Sequence, residues 1–462
     1  MQDLWQPIQF DRGMLRKYDR PGPRYTSYPT APQFEDGFGH TDYVRLLEQS
    51  AETDNPLSLY VHIPFCAHRC FFCGCNVTVS HDRTWGRRYL PLVAREMEIV
   101  SERLAAHRRE VVQIHWGGGT PTFLPPEDLA ELMLLIRRNF RISKDCEIGV
   151  EVDPRECSPA HLDVFAEAGV NRLSMGLQEL DPQVQKAVNR VQTLDQTWGV
   201  LEGARRRGLQ SVNLDLIYGL PFQTPERFAA TMREVVKMAP DRLALFNFAY
   251  LPAAIPHQRA LDAAALPSPD AKLRMLEEAI AALTKLDYVF IGMDHFARPQ
   301  DPLAQALRDR TLTRNFQGYS TCAKTDLVGF GVSSIGEVGG GYAQNSKSIA
   351  EYGAALQNDR LPVCRGLALT SEDHLRRDVI QRLMCHFGLD KRDVERRYEI
   401  DSFDRYFAAE IEELVPMVRD DLVEMGADRI EITPLGRLLV RNVAMAFDAY
   451  LGKTAVSYSR TV

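Results

Sequence analysis

Cys66, Cys70, Cys73 and Cys75 lie within ten residues, and they are the side chains in this sequence best placed to do chemistry. The spacing Cys66-x3-Cys70-x2-Cys73 presents three thiolates from one short loop, and thiolates this close together can hold a 4Fe-4S cluster. Three ligands for four irons leave one iron open. The competing use is a four-cysteine zinc site with Cys75 as the fourth ligand. Zinc sites usually pair two short knuckles far apart in sequence, so that the ligands approach from different directions. Here all four cysteines come from one loop, which makes Cys75 a thiol beside the cluster or a group acting on an intermediate. The other five, Cys146, Cys157, Cys322, Cys364 and Cys385, are scattered singly and read as small core hydrophobes. Such clustering fits a metal in a reducing compartment better than a disulfide framework.

The elements that must position these thiols alternate. From about residue 57 to 298 short apolar runs (SLYVHIPF, VVQIHWGGG, EIGVEVDP, RLSMGLQ, SVNLDLIYGLP, RLALFNFAYL, YVFIGMDHFA) are separated by stretches with helical apolar spacing. Ser158-Pro159 and Thr224-Pro225-Glu226 stand where helix N-termini want them. Repeated β-then-α units mean parallel strands with crossover helices, and the expected fold is α/β: a partial (β/α) barrel of about six parallel strands. Reactive residues then belong at the C-terminal strand ends and the loops that follow. The cysteine loop follows SLYVHIPF directly, Gly117-Gly118-Gly119-Thr120-Pro121 ends the second run, and Glu151 and Asp215 fall at later strand ends. The expected division is 1–56, an N-terminal arm; 57–365, the barrel core and its Gly-rich extension; and 366–462, a smaller, mainly helical, winged-helix-like domain.

Composition bounds the rest. The 462 residues, 45% hydrophobic and 25% charged, make a folded chain of up to about three domains. A net charge of −7 gives no field for nucleic acid. The winged-helix-like tail carries eleven acids against three arginines between Glu399 and Glu431, which argues against DNA. No apolar run reaches the ~20 residues that span a bilayer. The N-terminus lacks the layout of a signal peptide, so a cytoplasmic location is expected.

Taken together, GPRYTSYPTA, LYVHIPFC, CFFCGCN, HWGGGTPT, EVDPRE, NRLSMGLQ, NLDLIYGLP, FIGMDHFAR, RNFQGY and YAQN resemble the oxygen-independent coproporphyrinogen III oxidases (dehydrogenases) of the radical S-adenosylmethionine (radical SAM) superfamily. The resemblance implies Cys66, Cys70 and Cys73 as cluster ligands. It implies two S-adenosylmethionine molecules, contacted by Tyr60, Phe72, Gly118, Gly119, Thr120, Glu151, Gln178, Arg190, Asp215, Ala249 and Ile335. Tyr60, Cys75 and Gln317 are the residues it points to for catalysis. The implied reaction converts two propionates of coproporphyrinogen III to vinyl groups, giving protoporphyrinogen IX and carbon dioxide. A low-potential one-electron donor such as a flavodoxin, an unidentified electron acceptor and a monomeric state are expected. A substrate with four carboxylates needs cations, and Arg24, Arg298 and Arg314 are candidates. His62, His115 and His295 are expected to be hydrogen-bonded structural groups. The alternative is a haem chaperone or another tetrapyrrole-acting radical SAM protein on the same scaffold. The chaperone branch usually lacks the long arm and Cys75 and carries an HNxxYW-type element, which is absent here.

Overall fold

A computed structural model describes residues 4–453 and 458–461. The chain forms two compact units, each discontinuous in sequence: residues 34–267 with 324–368, and residues 1–33 with 268–323 and 369–462.

The first unit is built on a sheet whose strands are β1 (Leu57–Ile63), β2 (Glu110–Gly118), β3 (Arg141–Val152), β4 (Arg172–Gln178), β5 (Ser211–Tyr218), β6 (Arg242–Asn247), β7 (Asp326–Phe330), β8 (Ile335–Val338), β9 (Gly341–Asn345) and β10 (Val363–Ala368). Their order is β10-β9-β8-β7-β1-β2-β3-β4-β5-β6. Strands β7, β1, β2, β3, β4, β5 and β6 run parallel to their neighbours, and β8 to β10 continue antiparallel. Leu57, Leu59, Val61 and Ile63 are fully buried on one face of β1 and Ser58 and His62 are buried on the other, as in a parallel sheet covered on both faces. Two crossover helices start where the sequence places their caps: Ser158 and Thr224 each accept a bond from the backbone N–H three residues on, and Pro159 and Pro225 occupy the first helical turn. Thr193, not singled out by the sequence pattern, caps helix Leu194–Arg206 in the same way.

The six strands β1 to β6 form the expected parallel run, and five-residue β7, which emerges from the Gly-rich segment, adds a seventh on the far side of β1. One expectation about the sheet is corrected. The run YVFIGMDHFA is no further parallel strand. It forms an antiparallel pair, Val289–Gly292 with His295–Ala297, in the other unit, since Met293 at φ 48° and Asp294 turn the chain back. Apolar content shows that a run is a strand but not its direction.

The second unit gathers the chain termini. Helices Ser371–His386, Lys391–Tyr398 and Ala408–Arg419 accompany an antiparallel sheet in the order Gly388–Asp390, Arg429–Ile432, Val423–Met425, a mainly helical region as expected. The final helix is shorter than expected, Val440–Met445. The N-terminal residues are not a separate arm. Arg437 donates to the carbonyls of Leu4 and Gln6 (3.0 Å each), Asn442 Nδ2 to Tyr18 O (2.7 Å), and the Tyr25 hydroxyl to Asp448 (3.0 Å). Residues 34–56, including helix His40–Ala51, instead join the first unit, where Glu35 bridges to Gly366. The expected divisions at 56/57 and 365/366 therefore do not coincide with the compact units. Long-range hydrogen bonds decide the grouping, and these leave no local sequence pattern. Among the described residues no helix is long and apolar enough to cross a membrane.

Candidate active site

The cysteine loop leaves the C-terminal end of β1 and is fastened at both ends. Phe65–Cys66 pairs in parallel with Thr78–Val79, closing the loop on itself. The glycine turn after β2 docks on it from the side: Gly119 N–H donates to Ile63 O (2.8 Å) and Thr120 N–H to Phe65 O (2.9 Å). This approach explains the glycines. A Cβ on Gly117 would meet the Glu151 carboxylate at 2.9 Å, one on Gly118 (φ 110°) the His62 ring at 2.7 Å, and one on Gly119 the Phe65 carbonyl at 2.7 Å.

The four thiols sit in different environments. Cys70 is buried, Cys66 and Cys73 are half-buried, and Cys75 is exposed. Cys66 Sγ lies 3.4 Å from the Thr120 hydroxyl, and burial pushes its thiol up to about 11. Cys73 is drawn down to about 6, first by a hydrogen bond from the Cys75 thiol, with Arg69 and Arg190 adding positive charge. The Cys75 N–H also points at Cys73 Sγ (3.4 Å). Cys70 receives two guanidinium donors, Arg190 Nη1 at 3.6 Å and Arg155 Nη2 at 3.7 Å.

Beyond the thiols, the strand ends present a row of fixed polar groups. His62 Nε2 donates to Asn76 O (3.1 Å), which leaves Nδ1 as acceptor for the Tyr60 hydroxyl (3.0 Å). Burial lowers His62, consistent with that neutral form, and raises Tyr60, which stays a protonated donor. The Tyr60 ring stacks on His115 at 6.0 Å. His115 Nε2 donates to Glu151 Oε1 (3.0 Å) and Gly118 N–H to Oε2 (3.3 Å). Burial pushes Glu151 up, but these bonds outweigh it and the carboxyl stays below its usual range. Asp215 accepts from Asn213 (2.8 Å) and Ser174 (3.2 Å), yet burial lifts it to about 6. His62 and His115 are thus hydrogen-bonded as expected, and each orients a side chain of the expected contact set.

The remaining candidates fall in several places. Phe72 packs against the core cluster of Val184, Val188, Ile217, Leu220, Phe248 and Leu261. Gln178 ends β4 at φ 64°. The Ala249 carbonyl accepts from Gln258 (3.1 Å), and Ile335 opens β8, half-buried. Gln317 lies in the other unit, at the turn of the hairpin Thr313–Asn315 with Gly318–Ser320, and its N–H donates to Asn315 (2.9 Å). That unit also holds the arginine candidates. Arg24 pairs with Asp294, Arg298 lies over the Tyr288 ring at 4.5 Å, and buried Arg314 lies 4.7 Å from the Tyr319 ring with Nε on the Arg24 carbonyl (3.2 Å). Burial holds His295 down at about 4.

Sequence reasoning missed Asp153 and Arg155, which back Cys70, and His257, whose Nε2 donates to Cys73 O (2.6 Å). The motif EVDPRE contained the first two, but their target sulfur lies over eighty residues upstream.

These residues fit an iron-sulfur cluster and S-adenosylmethionine. Three thiols share one loop, guanidinium donors face one of them, and the glycine turn lets backbone come within reach of a ligand. Arg190 Nε is buried and has no partner among the described residues, a donor left over for a ligand carboxylate.

Comparison with known proteins agrees. The radical SAM superfamily pattern matches residues 60–235, and the HemN C-terminal domain pattern matches residues 369–439. The chain is 48% identical over 447 residues to the oxygen-independent coproporphyrinogen III oxidase of Pseudomonas aeruginosa, covering 96% of each chain. It is 47% identical over 450 residues to the Escherichia coli protein of that name, covering 97% of each. The solved structure of Escherichia coli coproporphyrinogen III oxidase (HemN), described as a radical SAM enzyme, superimposes with a TM-score of 0.92 at 45% identity, covering 96% of this chain and all of that one. Glycine turn, cysteine loop and full-length likeness converge: the chain belongs to the oxygen-independent coproporphyrinogen III oxidase family of radical SAM enzymes, which work with a 4Fe-4S cluster and S-adenosylmethionine.

Proposed function

We propose that this enzyme oxidatively decarboxylates two propionate side chains of coproporphyrinogen III to vinyl groups, yielding protoporphyrinogen IX in haem biosynthesis. The observation that carries this reading is the Cys66-x3-Cys70-x2-Cys73 loop, held at the C-terminal end of the sheet by the Gly119 and Thr120 backbone, in a chain alike over its full length to oxidases of that name. No side-chain base can remove a propionate β-hydrogen. The cluster and S-adenosylmethionine supply the carbon radical able to abstract it, and the protein positions that chemistry and excludes water.

The chain's own residues divide the work. Cys66, Cys70 and Cys73 hold the cluster, and Cys75 stands beside it. The Arg190 Nε offers its free N–H to a carboxylate, and Glu151, kept ionised by His115 and Gly118, suits an ammonium or hydroxyl group. Asp215, half-protonated near pH 6, can bond ribose hydroxyls from either form. Tyr60, Phe72, Gly118, Gly119, Thr120, Gln178, Ala249 and Ile335 complete the proposed contacts to two S-adenosylmethionine molecules. Gln317 joins Tyr60 and Cys75 as a proposed catalytic group, and Arg24, Arg298 and Arg314 are the proposed cations for substrate carboxylates. We place the reaction in the cytoplasm, where a flavodoxin-like carrier can deliver electrons, and expect a monomer.

The test is an anaerobic assay of reconstituted protein with coproporphyrinogen III, S-adenosylmethionine and a reductant. Protoporphyrinogen IX and 5′-deoxyadenosine should appear together, each dependent on substrate. 5′-Deoxyadenosine without protoporphyrinogen would retain the cluster chemistry and reject the substrate.

A further inference from the structure

We propose that Arg155, braced by Asp153, sets the reduction potential of the cluster through the sulfur of Cys70. This rests on the reading that Cys66, Cys70 and Cys73 hold the cluster. Asp153 and Arg155 stand just beyond the end of β3. The Arg155 N–H and Nε both donate to Asp153 Oδ1 (3.0 Å each), and Nη2 donates to Oδ2 (2.7 Å). The same Nη2 lies 3.7 Å from Cys70 Sγ. From the other side Arg190 Nη1 reaches Asp153 Oδ2 at 2.8 Å and the same sulfur at 3.6 Å, while its Nη2 donates to Gly176 O (2.6 Å). Side-chain exposures of 8% for Asp153, 13% for Arg155 and 9% for Arg190 leave little water to screen these charges.

One carboxylate between two guanidiniums leaves a net positive charge against a single thiolate. Taking one electron from a low-potential donor adds one negative charge to the cluster, and part of that charge falls on the coordinating sulfurs. N–H donors and positive charge at a sulfur favour the reduced form and raise the potential. The two arginines are not equivalent. Among the described residues Arg190 also has the unpartnered Nε assigned above to a ligand carboxylate, whereas the hydrogen bonds of Arg155 go to Asp153 and Cys70. Arg155 is therefore a positioning and tuning residue, and its signature is the potential.

The test uses the full chain, reconstituted anaerobically as wild type, Arg155→Met, Arg155→Gln and Asp153→Asn. Iron and sulfide are counted first, and the reduced cluster is then followed by electron paramagnetic resonance during a dithionite titration with mediators. Arg155→Met and Arg155→Gln should lower the reduced-to-oxidised ratio about tenfold at a fixed potential, a shift of about 59 mV to more negative values for a one-electron couple. Asp153→Asn removes the balancing negative charge and keeps both guanidiniums, so it should shift the midpoint the opposite way. Midpoints equal to wild type at full iron content would overturn the proposal, as would shifts of the same sign in Arg155→Met and Asp153→Asn. Loss of iron from all three variants would assign the triad to loop assembly and also overturn it. A wild-type protein that takes up no iron or sulfide would instead sink the cluster reading itself.

Discussion

Replacing Gly119 by alanine tests whether the glycine turn is fastened to the cysteine loop as tightly as the geometry requires. A Cβ there would sit 2.7 Å from Phe65 O, 2.9 Å from Phe65 N and 3.0 Å from Ile63 O. All three are backbone atoms, so no side-chain rotation relieves the contact. Restoring an ordinary separation of about 3.4 Å to the carbonyl requires the turn to withdraw by roughly 0.7 Å. That stretches the bonds from Gly119 to Ile63 and from Thr120 to Phe65, now 2.8 and 2.9 Å, to the limit of bonding. Two bonds at about 1 kcal/mol each, with about 1–3 kcal/mol for overpacking, make a local cost of roughly 3–5 kcal/mol. Such a cost is roughly two to three and a half powers of ten in the population with both loops joined, at about 1.4 kcal/mol per tenfold. Gly119→Ala should therefore bind little iron after anaerobic reconstitution and form little 5′-deoxyadenosine. Gly199→Ala is the control, since Gly199 lies inside helix Leu194–Arg206 with nothing within 4 Å of its added Cβ. It should keep activity and gain about 0.5–1 kcal/mol in stability. Iron content and cleavage at wild-type levels in Gly119→Ala would refute the argument.

Cys66→Ser, Cys70→Ser and Cys73→Ser should each abolish the iron-sulfur absorbance, whereas Cys75→Ser should keep it and impair turnover; bleaching of Cys75→Ser would make Cys75 a ligand. Tyr60→Ala should reduce S-adenosylmethionine cleavage about tenfold or more without loss of iron, and unchanged cleavage would reduce Tyr60 to packing. A pH effect on stability is expected from Glu96, a fully buried carboxyl that burial raises from 4.5 to about 7 despite bonds from Gly331 N–H (2.8 Å), Asn345 (2.5 Å) and Tyr352 (2.6 Å). The folded state holds this proton more tightly than the unfolded chain, so the stability it confers is full below pH 4.5, is lost as pH rises to about 7, and is flat above. At about 1.4 kcal/mol per unit the change is on the order of 3 kcal/mol. Denaturant titrations at pH 5 and pH 8 should show this difference in wild type, and Glu96→Gln should remove most of it; an unchanged slope would rule Glu96 out.

The parts of this architecture that are local in sequence could be read from it. The cysteine spacing, the capping residues Ser158 and Thr224, and the position of Glu151 at the end of β3 all lie within a few residues of the features that explain them, whereas Asp215 falls inside β5 rather than at its end. What failed depends on partners far away in sequence. Strand β7 is too short to announce its pairing with β1 across 260 residues of chain. The Val289–Gly292 and His295–Ala297 pair turns on the backbone conformation of Met293, which apolar content does not encode. Arg190 was expected to serve only S-adenosylmethionine, yet two of its nitrogens are already taken by Asp153, Cys70 and Gly176. The free Nε keeps the expected role open, and the other two reveal a support for the cysteine loop that its sequence spacing did not suggest.

That support follows from what the loop is. Between Cys66 and Cys75 it contains no regular element beyond the short Phe65–Cys66 pairing, so its rigidity must be borrowed. The lenders are the connections after other strands. Phe71 N–H bonds Val188 O (3.0 Å) and Asn189 Nδ2 bonds Arg69 O (2.8 Å), from the crossover after β4. His257 holds Cys73 O (2.6 Å) and Gln258 reaches Phe72 O (3.4 Å), from the segment after β6. Three thiols can keep the separations a polynuclear cluster demands only if these loops keep their own places relative to the strands. His257 makes the dependence measurable. It touches no thiol, yet His257→Ala removes the bond to the Cys73 carbonyl while leaving every ligand present. If the loop borrows its order in this way, that variant should reconstitute iron more slowly and lose it faster to a chelator than wild type, with its folded secondary structure unchanged by circular dichroism. Equal rates of iron loss would mean that the cysteine loop orders itself.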